Sequence, residues 1–83
     1  MAMTVRETLS AAAARLKAAG VDPAPLEAQL LLAHVLRRDR VWLAVNRDRA
    51  VGPRDRGRFE RLVRERCTRK PLQQMLGGTE FYG

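Results

Sequence analysis

The segment from Leu26 to Leu36 constrains the fold most. Leu26, Leu30, Leu31, Ala33, Val35 and Leu36 cover most of the circumference of a helix, and Gln29 and His34 interrupt it. A helix apolar on most sides has to be surrounded, so it belongs in the middle of a bundle. It is too short to cross a membrane, which takes about 20 apolar residues. The surrounding surface must come from a chain of 83 residues, which is 46% hydrophobic. That length suits one small domain, burying roughly 60–65% of the surface its unfolded form exposes. Ala, Leu, Arg and Glu dominate and β-branched residues are sparse. These are strong helix formers, so the expected class is all-α, a small bundle of four to five short helices.

The flanking segments supply the other helices. Thr4 and Glu7 have capping-box spacing, and Val5, Leu9, Ala12, Leu16 and Ala19 form one stripe behind them. Gly20 is the natural stop. Asp22 and Pro23 are expected to act as cap and first residue of the Leu-rich helix. Arg37 and Arg38 follow its C-terminus, where cations complement the helix dipole. Asp39 is a candidate cap for a short helix from Arg40 to Val45, with Val41, Trp42 and Val45 facing inward. Asn46 to Gly52 reads as a polar loop. Pro53 opens a fourth helix with Phe59, Leu62, Val63 and Cys67 inside. Arg54, Arg58, Arg61 and Glu65 lie outside, and Glu60 with Arg64 and Glu65 with Arg69 form helical pairs worth about a few tenths of a kcal/mol each. Pro71 opens a fifth, short helix with Leu72, Met75 and Leu76 inward, closed by Gly77 and Gly78. Thr79 to Tyr82 reads as extended.

Charge is unevenly spread. Basic and acidic side chains balance over residues 1–36, so the whole net charge of +7 sits in residues 37–83. Such a surface attracts an anionic partner, a nucleic acid or an acidic protein; an Arg-rich set of solvated helix faces gives the same count. One cysteine, Cys67, precludes an internal disulfide and suits a reducing cytoplasm. The first residues lack a basic stretch followed by an apolar run, so no signal peptide is expected. Catalytic signatures are missing. No Gly-x-Gly-x-x-Gly phosphate cradle occurs. His34, the single histidine, reads as a core or boundary side chain, with no acid at i±3 or i±4 to orient it as a base. Trp42 reads as a packing anchor, with base stacking as the sharper alternative.

Two motifs carry a family resemblance. The segment LLLAHVL from Leu30 to Leu36, and PLQQMLG from Pro71 to Gly77 followed by EFYG from Glu80 to Gly83, resemble the N-terminal region of the PrmC/HemK family, the peptide chain release factor glutamine methyltransferases. The order between them is similar too: a Trp-containing helix, a polar loop, Gly-Pro, then RFERLV from Arg58 to Val63 and an Arg-rich helix end. Gln74 departs from the pattern, in which an aromatic residue or His is frequent.

The resemblance implies an enzyme that methylates the Gln amide of a Gly-Gly-Gln loop in class I release factors, using S-adenosylmethionine. It places the chemistry in a Rossmann-like domain beyond this chain, with an Asn-Pro-Pro-Tyr signature. Asn46 is the single asparagine here and Arg47 follows it, so no catalytic or cofactor residue carries over. Residues 1–76 are then expected to be a helical substrate-binding domain, without activity or S-adenosylmethionine binding of its own. Residues 77–83 are expected to start an extended linker, whose Phe81 and Tyr82 dock on the catalytic domain. The resemblance also implies an acidic release factor as partner, for which Arg37, Arg38, Arg40, Arg54, Arg58 and Arg61 are the candidate contacts. A free-standing basic helical module that binds nucleic acid is the alternative, the third and fourth helices forming a DNA reader despite a long loop between them. An adaptor or antitoxin-like dimer is a third.

Overall fold

The structure, a computed structural model, describes residues 3–68. Four helices follow in order: α1 (Val5–Ala18), α2 (Ala24–Leu36), α3 (Arg40–Val45) and α4 (Pro53–Cys67). The fifth helix expected from Pro71, the linker of residues 77–83 and its Phe81 and Tyr82 lie outside the described residues.

The start of α1 shows how the chain closes on itself. The Thr4 hydroxyl accepts from the Glu7 N–H at 3.2 Å, and the Glu7 carboxylate accepts from the Thr4 N–H at 3.0 Å. This reciprocal box leaves the N–H groups of Val5 and Arg6 without helical partners. Both are taken by the segment between α3 and α4: Val5 donates to the Arg49 carbonyl at 2.8 Å and Arg6 to the Arg47 carbonyl at 3.0 Å. In return the Val51 N–H donates to the Met3 carbonyl at 2.8 Å, beside an antiparallel bridge between Thr4 and Ala50. The expected polar loop is thus a strap over the helix end, and Val51 is buried in the core. One apolar residue between Ala50 and Gly52 has no periodicity to announce it. Its burial comes from pairing with a segment far away in sequence.

Gly20 ends α1 as expected, with φ 88°. Val21 N–H reaches the Leu16 carbonyl at 2.9 Å and Gly20 N–H the Lys17 carbonyl at 3.0 Å, the two bonds of a Schellman cap. The start of α2 differs from expectation. Pro23 is the N-cap, Ala24 is the first helical residue, and no side-chain cap forms. Pro25 in the first turn has no N–H, which removes one donor that Asp22 would have served.

Helix α2 packs against α1, α3 and α4, the central place its sequence demanded. Ala24, Ala28, Leu31, Leu32, Ala33 and Val35 are buried, with Leu26, Leu30 and Leu36 half-buried. Helix α4 presents Phe59 and Val63 to the core, flanked by Leu62 and Cys67. The Cys67 thiol is half-buried, 3.8 Å from the Arg15 carbonyl. Two ion pairs tie α4 across the bundle. Glu60 pairs with Arg15 of α1, instead of the Arg64 one turn away. Arg66 meets Glu27 of α2 with Nε–Oε1 at 2.8 Å and Nη2–Oε2 at 3.4 Å.

Helix α3 is rotated relative to expectation. Leu43 is its buried residue, whereas Val41 and Val45 are 71% and 77% exposed. A six-residue helix has too few turns for periodicity to define its inner face. Trp42 alone of the expected trio packs on the core, half-buried.

Gly57 stands inside α4, and a Cβ built there meets nothing within 4 Å. Gly57→Ala should therefore stabilise the fold by about 0.5–1 kcal/mol through unfolded-state entropy and helix propensity. Urea denaturation checks this, and an unchanged or lower midpoint would contradict it.

Candidate functional site

The junction of α2 and α3 faces the middle of α4 across a cleft of about 520 Å³. Its floor is apolar, from Leu30 and Ala33. Its walls are His34, Arg37, Arg38, Asp39, Arg40 and Arg58. Leu30, Ala33, His34 and Arg37 follow at i, i+3, i+4 and i+7, so one face of α2 runs from floor to rim. His34, expected to be a core or boundary side chain, is exposed on that face, although Ala33 beside it is buried.

Arg37 has an unusual backbone. Its φ is 57° and its ψ 44°, the left-handed region. Arg38 N–H donates to the Ala33 carbonyl at 2.9 Å and Arg37 N–H to the His34 carbonyl at 3.2 Å. This is the same cap that Gly20 closes on α1, with arginine in glycine's place. A side chain there costs about 1–2 kcal/mol. Such strain is retained where the side chain has another use.

The Asp39 carboxylate caps α3, accepting from the Trp42 N–H at 2.8 Å as expected. Among the described residues it closes no ion pair with the arginines around it. Arg40 Nε donates to the Gln29 Oε1 at 3.0 Å, which holds the guanidinium at the cleft edge. The guanidiniums of Arg38 and Arg49 lie 5.0 and 5.7 Å from the Trp42 ring centroid. Among the described residues none of Arg37, Arg38, Arg40, Arg54, Arg58 and Arg61 has a carboxylate partner. Four of the six line the cleft. Arg54 and Arg61 are exposed on α4, four positions before and three after Arg58, on the same face.

This geometry can bind negative charge over an apolar floor. The described residues do not favour a DNA reader of α3 and α4, because α3 packs chiefly on α2. The Trp42 ring already carries two guanidiniums.

The sequence profile of the PrmC N-terminal domain matches residues 7–77. The chain belongs to the PrmC N-terminal domain family. This PrmC N-terminal domain is 40% identical over 80 residues to the release factor glutamine methyltransferase of Geobacter sulfurreducens, covering 96% of this chain and 28% of that protein. It is 36% identical over 81 residues to the release factor glutamine methyltransferase of Cereibacter sphaeroides, covering 98% and 29%. The bifunctional methyltransferase of Rickettsia felis is 29% identical over 82 residues, covering 99% and 16%. The chain thus spans less than a third of the length of these relatives. No solved structure matches it.

The apolar floor of Leu30 and Ala33 was missing from the candidate residues of this PrmC domain. The i, i+3, i+4, i+7 spacing of Leu30, Ala33, His34 and Arg37 is the signal the sequence offers for it.

Proposed function

We propose that the chain is the substrate-docking domain of a release factor glutamine methyltransferase, holding an acidic class I release factor through the arginine cleft. Residues 1–76 form that domain and residues 77–83 begin the linker to the catalytic domain, with Phe81 and Tyr82 docking on it. The reading rests on one observation above others: among the described residues, six arginines have no carboxylate partner, and four of them surround one cleft with an apolar floor. An amide nitrogen is a poor nucleophile, so its methylation depends on holding the glutamine in place. Binding energy gathered far from the reacting atom serves that positioning. The reaction and the substrate both belong to the cytoplasm.

S-adenosylmethionine supplies the methyl group in the complete enzyme. The residues here do not fit it. The cofactor is a sulfonium cation, and the cleft offers Arg37, Arg38, Arg40 and Arg58 with its one carboxylate, Asp39, committed to a helix cap. The chain's own part is to bind and orient the protein substrate.

Charge reversal tests the reading. In the complete enzyme, Arg37→Glu, Arg38→Glu and Arg58→Glu together should raise KM for the release factor at least about tenfold at low salt, less as salt screens the interaction. Unchanged kinetics across a salt series would remove the proposal.

A further inference from the structure

Val41 and Val45 are the exposed large hydrophobics among the described residues. They sit at i and i+4 on the outer face of α3 with the exposed Ala44 between them. Val41, but not Val45, lines a second groove of about 540 Å³, together with Leu9, Gln29, Arg40, Leu43, Ala44 and Arg47. Its floor is apolar, from the half-buried Leu9 and the buried Leu43, and its rim holds two cations. Arg40, the first residue of α3, is common to this groove and the arginine cleft, so the two depressions meet at the start of α3.

We infer that the Val41 groove takes aliphatic side chains from an acidic segment of the protein held in the arginine cleft, so that the partner fills both depressions that meet at Arg40. This deepens the docking reading above and rests on it. Charge selects the occupant. Arg47 has no carboxylate partner among the described residues, and Arg40 meets only the neutral Gln29 amide. Acidic side chains next to Leu or Val satisfy this rim and this floor together. A second copy of the chain would bring another +7 against these cations, which opposes self-association through this face. Helix-sized ridges and grooves of this kind recognise partners by aliphatic anchors at fixed spacing, with charges setting orientation.

The test is a calorimetric titration of the 83-residue chain with a purified class I release factor at several salt concentrations. V41A/V45A removes the branched methyls at exposed helical sites and raises helix propensity, so the variant keeps its fold. It should bind about tenfold more weakly with the salt dependence of the parent, because apolar contact is not screened. R37E/R38E should bind more weakly and show a flatter salt dependence. Parental affinity of V41A/V45A, or a weakened affinity with an altered salt dependence, overturns the groove inference, while the loss in R37E/R38E still supports the cleft. No binding by the parent chain at low salt overturns both.

Discussion

Phe59→Ala should leave the domain largely unfolded, or lower its Tm by at least about 15 °C. Phe59 is completely buried and is the largest of the fully buried side chains. It stands in the inner stripe of α4, which packs on both α1 and α2. Truncating a buried phenylalanine costs about 3–5 kcal/mol, the lost transfer energy plus the cavity left behind. A domain of this size has only about 4–12 kcal/mol in total. The void opens where three helices meet, and none can collapse into it without leaving the others. Thermal unfolding followed by circular dichroism at 222 nm reads the effect. A variant melting within about 5 °C of the parent would show that the α4 packing is not what holds the bundle.

Glu27→Ala should cost about 1–3 kcal/mol. The Glu27 carboxylate and the Arg66 guanidinium are 13% and 18% exposed and share two contacts between α2 and α4. Cutting back the acid leaves a guanidinium largely out of water with its bidentate partner gone. Arg66 keeps a further interaction, which holds the cost below that of a fully buried, isolated pair. A double-mutant cycle with Arg66→Ala, read by urea denaturation, isolates the coupling. An interaction energy near zero would place the pair with ordinary surface ion pairs, worth about 0–1 kcal/mol.

Much of the architecture was legible beforehand because it is local. The Thr4–Glu7 box, the Gly20 stop, the Asp39 cap and the Phe59–Val63 stripe each depend on residues within four positions, and all stand where their spacing put them. Misreadings fell where the decisive partner is remote. Glu60 was assigned to Arg64 by helical spacing, but Arg15 approaches from α1. Helical spacing lets Val41, Trp42 and Val45 share an inner face, yet α3 is too short to choose its own face, and Leu43 is the residue over the core. His34 reads from the sequence as a core or boundary side chain, and the packing of α2 leaves it exposed at the cleft.

The candidate site divides in the same way. The sequence alone established that the positive charge gathers after residue 36, that Arg37 and Arg38 follow a buried helix, and that the motifs from Leu30 to Leu36 and around Pro71 resemble one family. Charge and motif are properties of residue order. Only the tertiary structure decided that Arg58 of α4 meets Arg37, Arg38 and Arg40 across an apolar floor, that Asp39 is withdrawn into a helix cap, and that two valines stand outward beside them. Those facts follow from how helices pack, and packing is settled by contacts between segments far apart in the chain.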